Sequence, residues 1–207
     1  MIKAVIFDID GVLIDSFEAN LLYFQDLMPR AGYNAPTRKE YIPLFSKSLL
    51  DVIKILTRSQ SEEEVKRIWD LGASREIPYN VGLVTMPKRS DVTIKKLSEK
   101  YLLGIVTSRI RGYAFEVPKL ADLRDYFKVS VTYEDTAKHK PDPEPLLLAA
   151  EKLGVKPDEI VYVGDAASDV KAAKAAGMKM VAFPKELEGA DAFTDSFEKL
   201  PELISAL

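Results

Sequence analysis

The sequence has no cysteine and a single histidine, His139. The lack of cysteine excludes disulfide bonds, thiolate metal sites and a cysteine nucleophile. With one histidine, a metal site built from several imidazoles is excluded too, and a Ser-His-Asp hydrolase would depend on His139 alone. Because nothing in the sequence calls for an oxidising compartment, we expect a cytoplasmic protein.

Charge of one sign and long apolar runs are also scarce. The chain has 29 basic and 32 acidic residues, a formal net charge of −3, whereas a general nucleic-acid binder shows a net basic face. No apolar run approaches the ~18 residues that span a bilayer, and the N-terminal run Ala4–Phe7 is broken by Asp8 and Asp10. We therefore expect no nucleic-acid partner, no membrane partner and no export signal. The carboxylates are the first candidates for catalytic groups.

Short apolar runs alternate with stretches of helical spacing along most of the chain. This alternation predicts an α/β fold with a parallel sheet flanked by helices. The predicted strands are short and apolar, and lie at residues 2–7, 102–106, 129–131, 160–163 and 180–183. The predicted helices lie at residues 90–100, 144–153, 168–176 and 196–206.

Residues 17–86 interrupt this alternation. They carry apolar residues at helical spacing, such as Leu21 and Phe24, but no convincing strand. Prolines and glycines punctuate the segment, which is typical of short helices joined by turns. We therefore predict two domains, an α/β core formed by residues 1–16 and 87–207 and an inserted helical domain formed by residues 17–86.

Two acidic residues follow the first predicted strand. Asp8 and Asp10 are two positions apart, so in an extended chain their side chains project to the same side. Gly11 comes next, and a glycine permits a sharp turn in which backbone N–H groups approach an anion closely. Acids that follow a strand are also common as ordinary turn residues, so this pattern alone leaves both interpretations open.

Polar residues follow three further predicted strands. Thr107 and Ser108 carry hydroxyls that suit phosphate oxygens, although such residues are also common in turns and helix caps. Lys140 lies in a proline-stiffened loop and could supply a fixed positive charge. Asp165 and Asp169 are four positions apart; if a helix begins directly after the first, both lie on one face of its first turn, where acids also favour the helix dipole.

Together, these four clusters indicate phosphate chemistry. Ligands of parallel α/β sheets bind outside the carboxyl ends of the strands, and all four clusters lie at such ends. Carboxylate oxygens suit Mg²⁺, which binds proteins through one or two carboxylates together with waters and phosphate oxygens. Phosphoryl transfer spreads negative charge that a metal ion and a lysine can neutralise. The residues therefore predict a site that uses Mg²⁺ and takes a small phosphorylated metabolite.

The motifs, in this order, resemble those of the haloacid dehalogenase (HAD) superfamily. The matching segments are Asp-Ile-Asp-Gly-Val-Leu-Ile-Asp-Ser at 8–16, Thr-Ser at 107–108, Lys-Pro-Asp-Pro-Glu at 140–144, and Gly-Asp at 164–165 followed by Asp169. The insertion is similar to the helical C1-type cap of the phosphoglycolate phosphatase and β-phosphoglucomutase branch. The resemblance implies a Rossmann-like core with an inserted cap domain.

The resemblance also implies a role for each motif residue. Asp8 is expected to attack phosphorus and form an aspartyl-phosphate, while Asp10 protonates the leaving group and then activates water. Dehalogenases resemble this pattern but lack the second acid, because a departing halide needs no proton. Phosphate binding is expected from Gly11, Thr107, Ser108 and Lys140. Mg²⁺ binding is expected from Asp8, the backbone carbonyl of Asp10 and Asp165, and from Asp169 either directly or through water.

A Mg²⁺-dependent phosphatase that acts on a small phosphomonoester is therefore the preferred expectation. A phosphoglucomutase-like phosphoryl transferase remains an alternative, because such enzymes share both aspartates and differ in how the cap excludes water. A non-catalytic phosphate-binding or interaction module is a second alternative, since fold alone does not entail activity. A Ser-His-Asp hydrolase is disfavoured, because the sequence has no Gly-x-Ser-x-Gly elbow and His139 lies in a proline-rich loop.

Overall fold

The computed structural model describes all 207 residues, which divide into two compact units. One unit combines Met1–Asp15 with Met86–Leu207 and contains the sheet, and the other unit is Ser16–Thr85 and is helical. Each unit has its own hydrophobic core. No helix of the structure combines the length and the apolar character needed to cross a bilayer.

The α/β unit is built on a six-stranded parallel sheet. Its strands are β1 (Ala4–Phe7), β2 (Leu102–Val106), β3 (Phe127–Val131), β4 (Ile160–Gly164), β5 (Lys179–Ala182) and β6 (Ala192–Phe193). They are arranged in the order β3-β2-β1-β4-β5-β6, which is the order of a Rossmann-like sheet. The predicted α/β fold with a parallel sheet is therefore confirmed.

The sixth strand is an element that the sequence pattern does not reveal. β6 contains only two residues and lies at the edge of the sheet. It is held through its neighbours, since the Asp191 N–H donates to the Met180 carbonyl at 2.8 Å and the Thr194 N–H donates to the Ala182 carbonyl at 3.1 Å. Two residues are too few to produce a recognisable alternation of apolar and polar side chains.

The helical unit contains four α-helices with a shared apolar core. They are α1 (Phe17–Arg30), α2 (Arg38–Tyr41), α3 (Leu49–Thr57) and α4 (Glu62–Ala73). Leu27, Ile53 and Ile68 from three of these helices are completely buried in that core. Serine side chains cap two of the helices, because Ser48 accepts from the Asp51 N–H at 3.2 Å and Ser61 accepts from the Glu64 N–H at 3.3 Å.

The remaining helices belong to the α/β unit. They are α5 (Ser90–Ser98), α6 (Pro118–Ala121), α7 (Glu144–Leu153), α8 (Ala167–Ala176) and α9 (Leu200–Ser205). The helix expected at residues 196–206 is shorter than predicted, because a 3₁₀ turn at Phe197–Lys199 precedes α9. Helices α7 and α8 both end at glycines in the left-handed conformation, Gly154 and Gly177.

The strand register brings the motif residues to one point on the sheet edge. Phe7, the last residue of β1, pairs with Ile105 of β2 on one side and with Val163 of β4 on the other. The residues that follow these three strands therefore emerge side by side. The junction of β1 and β4 is also where the strand order reverses, which is the position at which open parallel sheets bind ligands.

Arg58 ends α3 in the left-handed conformation, with φ of 54°, where a β-carbon is unfavourable. Replacing it by glycine retains the backbone bond from its N–H to the Lys54 carbonyl. We expect Arg58→Gly to increase the free energy of unfolding by about 0.5 to 1 kcal/mol, measured by denaturant titration.

The matched control is Gly154→Ala at the end of α7. Its φ is 66° and an added β-carbon would meet no atom within 4 Å, so only the backbone conformation is tested. We expect this substitution to lower the free energy of unfolding by about 1 kcal/mol. A change of the same sign in both variants would show that the left-handed conformation does not govern stability at these positions.

Candidate active site

Asp8 occupies the centre of the site because it continues β1 by one residue. Its N–H donates to the Val163 carbonyl at 3.0 Å, which holds the backbone in the sheet. The side chain is buried at the carboxyl edge of the strands, and its Oδ1 accepts from the Ile9 N–H at 2.7 Å. The sheet therefore fixes the position of this carboxylate.

Three of the predicted acidic residues form a buried cluster. Carboxylate oxygens of Asp8, Asp165 and Asp169 lie within 4.8 Å of one another. Asp169 lies in the first turn of α8, where its Oδ2 accepts from the N–H groups of Asp165 at 3.1 Å and Ala166 at 3.0 Å. The helix begins at Ala167, two residues after Asp165, so the condition under which both acids would share its first turn is not met; Asp165 instead follows the end of β4.

Two glycines allow the carboxylates to come this close to the backbone. Gly11 has φ of 78°, and a β-carbon there would collide with the Asp165 carboxylate. A β-carbon on Gly164 would lie 2.6 Å from the β-carbon of Asp169. Real β-carbons do not approach other atoms so closely, so larger residues at either position would displace an acid of the cluster.

Lys140 supplies the positive charge at the cluster. Its Nζ lies 2.8 Å from Asp8 Oδ2 and 2.7 Å from Asp169 Oδ1, and it donates to the Tyr162 hydroxyl at 2.9 Å. These three contacts match the three protons of an ammonium group. The loop that carries Lys140 is held by Glu144, whose carboxylate accepts from the N–H groups of Ala137 at 3.0 Å and Lys138 at 3.1 Å.

The electrostatics of the cluster show an excess of negative charge. Burial raises the pKa of Asp8 to about 7, against the opposing effect of Lys140. Burial, and then the charges of Asp8 and Asp169, raise the pKa of Asp165 to about 8. Burial lowers the pKa of Lys140, but the charges of Asp169 and Asp8 outweigh it and hold that pKa well above its ordinary value. One ammonium therefore does not neutralise the three acids.

The cluster fits a hard divalent cation. Its donors are carboxylate oxygens, they are buried, and they face one another within the reach of a single ion. A divalent cation there would supply the positive charge that the raised pKa values of Asp8 and Asp165 show to be lacking. Asp8, Asp165 and Asp169 are accordingly the side chains that would hold it.

Asp10 has a different environment from the other motif acids. Its two oxygens pair with the guanidinium of Arg109, with Nε to Oδ2 at 2.7 Å and Nη2 to Oδ1 at 2.8 Å. Thr107, at the end of β2, is buried, and its hydroxyl accepts from the Arg109 N–H at 3.2 Å. Ser108 follows it and is half-buried. The structure thus places the Asp10 carboxylate against the loop that follows β2.

His139 is the neighbour of Lys140, and its ring stacks on another side chain. The ring centroids of His139 and Tyr133 are 3.9 Å apart, and the two planes differ by 20°. The imidazole thus lies flat against a phenol. No Ser-His-Asp arrangement is indicated by this contact.

Two residues of the site were missed by the sequence analysis. Tyr162 is completely buried in β4, where its hydroxyl accepts from Lys140 and donates to Asp169 Oδ1 at 3.2 Å. A phenol in an otherwise apolar buried strand must find a hydrogen-bonding partner, and that requirement could have identified it. Arg109 pairs with Asp10 across a sequence separation of 99 residues, and nothing in its local sequence indicates this partner.

Comparison with known proteins gives a consistent result. The family model for haloacid dehalogenase-like hydrolases matches residues 5–183. The pyrophosphatase PpaX of Bacillus pumilus is 31% identical over 192 residues, which cover 92% of this chain and 87% of that protein. The chain is therefore similar to these proteins over most of its length.

Solved structures show the same similarity. A HAD-superfamily hydrolase of subfamily IA, variant 1, from Geobacter sulfurreducens is 30% identical, with a TM-score of 0.72 and coverage of 98% of this chain and 96% of that chain. The β-phosphoglucomutase pgmB of Clostridium difficile is 25% identical, with a TM-score of 0.79 and coverage of 100% of this chain and 96% of that chain. The similarity extends over both compact units.

The raised pKa of Asp165 predicts how pH affects the metal-free protein. A carboxyl group whose pKa is higher in the folded than in the unfolded state binds more protons when folded, so stability falls as pH rises between the two pKa values. We expect the free energy of unfolding of the metal-free protein to fall by a few kcal/mol from about pH 5 to about pH 8. Denaturant titration in the presence of a chelator measures this.

Asp165→Asn is the matched variant, because an amide of the same shape cannot ionise. We expect its stability to depend less on pH over the same range, and we expect added Mg²⁺ to stabilise the unaltered protein more than the variant. An equally steep pH dependence in both proteins would contradict the assignment of this effect to Asp165.

Proposed function

The chain belongs to the haloacid dehalogenase-like hydrolase family and is an enzyme of its phosphatase type, and we propose that it hydrolyses a small phosphate ester through an aspartyl-phosphate on Asp8. The observation that carries this proposal is the pairing of the buried Asp8 carboxylate with the Lys140 ammonium at 2.8 Å, within the cluster of three acids. A nucleophilic carboxylate beside a fixed positive charge suits attack on an anionic phosphate.

Asp8 acts as the nucleophile in this proposal. The carboxylate attacks phosphorus, the bond from phosphorus to the ester oxygen breaks, and the departing oxygen takes a proton. Lys140 stays between Asp8 and Asp169 and stabilises negative charge at the transferred group. The hydroxyls of Thr107 and Ser108 bind the phosphate oxygens. The N–H of Gly11 was expected to join them, but it donates to the Ile14 carbonyl at 2.8 Å, so this contact is not retained in the proposal. Water then attacks the phosphoryl group and releases Asp8.

Asp10 serves both steps. It donates the proton to the departing oxygen and later takes a proton from the attacking water, so the residue returns to its starting state.

We further propose that Mg²⁺ is held by Asp8, Asp165, Asp169 and the backbone carbonyl of Asp10. When bound, it neutralises the substrate phosphate and orients it for attack. The helical residues 17–86 are proposed to be the cap domain.

Two alternative reactions of the same site follow from the similar proteins. The relative from Bacillus pumilus is a pyrophosphatase, which makes inorganic pyrophosphate a second candidate substrate. The protein from Clostridium difficile is a β-phosphoglucomutase, in which the phosphoryl group goes to a sugar and not to water. All three reactions can use the same aspartyl-phosphate. The leaving group, an alcohol or inorganic phosphate, distinguishes ester hydrolysis from pyrophosphate hydrolysis, and the acceptor, water or a sugar, distinguishes both from the mutase reaction.

Asp8→Asn is expected to abolish turnover of a generic aryl phosphate, because an amide is not a nucleophile for phosphorus. The rate of phosphate release with added Mg²⁺ measures the effect. Asp158→Asn is the matched control, since Asp158 is exposed in the turn before β4 and we expect it to keep full activity. A near-normal rate for Asp8→Asn would contradict the proposed intermediate.

We expect an activity screen to identify the substrate. The panel contains small phosphate esters, inorganic pyrophosphate and β-glucose 1-phosphate, each assayed with Mg²⁺ and with a chelator. We expect release of inorganic phosphate that depends on Mg²⁺. Formation of glucose 6-phosphate with little free phosphate would instead show a mutase. The absence of any reaction across the panel would favour the non-catalytic binding module.

A further inference from the structure

The pair formed by Asp10 and Arg109 has a geometry that fixes the carboxylate. Two parallel bonds join the guanidinium to both oxygens of Asp10, at 2.7 and 2.8 Å. A bidentate pair of this kind sets the plane and the direction of a carboxylate, which a single hydrogen bond cannot do. The side chains are shielded from solvent, with exposures of 10% for Arg109 and 18% for Asp10.

The opposite edge of the guanidinium is anchored separately. Nη1 of Arg109 donates to the Tyr113 carbonyl at 3.1 Å and to Glu116 Oε1 at 3.2 Å. Glu116 is itself only 15% exposed, so this second carboxylate balances the arginine charge away from water. These contacts fix the edge of the Arg109 guanidinium that faces away from Asp10, while its Nε and Nη2 donate to Asp10.

We propose that Arg109 is the positioning residue for Asp10, and that the anchor formed by Glu116 and the Tyr113 carbonyl fixes Arg109 in turn. The inference rests on the proposed function, in which Asp10 moves protons at the leaving oxygen and at the attacking water. Efficient proton transfer requires a carboxylate oxygen held within hydrogen-bond reach of the reacting group. The bidentate pair fixes the plane and the direction of the Asp10 carboxylate before substrate binds.

The same geometry argues against a role for Arg109 in binding substrate phosphate. Its Nε, Nη1 and Nη2 already make four hydrogen bonds to protein oxygens, which leave at most one of the five guanidinium N–H groups of this shielded side chain for a phosphate. For the first proton transfer, one oxygen of Asp10 leaves the guanidinium, takes up a proton from solvent and donates it to the departing oxygen. Arg109 still donates to the other oxygen of Asp10 and still pairs with Glu116. The positive charge of the guanidinium therefore stays compensated, and Asp10 stays oriented.

Arg109→Ala tests this inference. We expect kcat to fall about 100-fold, because misplacing a reacting group by about 1 Å can cost that much, while KM changes by less than about threefold. Added guanidinium ion is expected to restore part of the lost kcat by occupying the place of the side chain. Arg109→Lys is expected to recover only part of the rate, because an ammonium cannot form the bidentate pair.

Arg111→Ala is the matched control in the same loop. Arg111 is 68% exposed and pairs with Asp135, so we expect its loss to leave kcat unchanged, with no response to guanidinium. Thermal unfolding of each variant shows whether the fold is intact.

The outcomes separate the inference from the function on which it rests. Activity of the unaltered protein with any phosphate substrate is measured first, and its absence would overturn the proposed function. With an active protein, three results would overturn the role of Arg109: an unchanged kcat in Arg109→Ala, a rise in KM alone, or a loss of kcat that guanidinium does not restore. A fall in kcat with guanidinium rescue supports it.

Discussion

The contact of the Lys140 ammonium with Asp8 and Asp169 is the interaction on which the site depends. Three buried carboxylates repel one another, and burial alone raises the cost of keeping them charged. Lys140 offsets part of this cost because it lies within 2.8 Å of two of them. The hydroxyl of Tyr162, a residue of strand β4, accepts the third hydrogen bond of the Lys140 ammonium. The lysine thus allows a group of like charges to exist inside a folded protein.

The sheet supplies the rigidity that this arrangement needs. Adjacent parallel strands end at one edge, and backbone bonds hold Asp8 where β1 ends. Asp169 has two functions, because one of its oxygens caps the first turn of α8 while the other contacts Lys140. Local helix geometry and site electrostatics are therefore linked through a single side chain. Holding acids at such short distances lowers the free energy of unfolding, which is a common consequence of functional sites.

Much of the fold and part of the site could be predicted from the sequence, for physical reasons. Buried parallel strands are nearly continuous apolar runs, so β1, β2 and β4 were recognisable, and the acids that follow them could be placed at one edge. The two-residue strand β6 carries no such signal. The partner of Asp10 was not predictable, because the Arg109 pair joins residues 99 positions apart and depends on how their loops meet.

The position of β1 in the sheet also has a consequence for how the protein is made. β1 precedes the other five strands of the sheet in the chain, yet both of its partners, β2 and β4, follow the entire helical unit. Asp8 and Lys140 are separated by 132 positions. An apolar strand must therefore remain without its sheet partners until the chain beyond Ser16–Thr85 has been synthesised. Such long-range pairing slows folding and exposes the nascent strand to association with other chains.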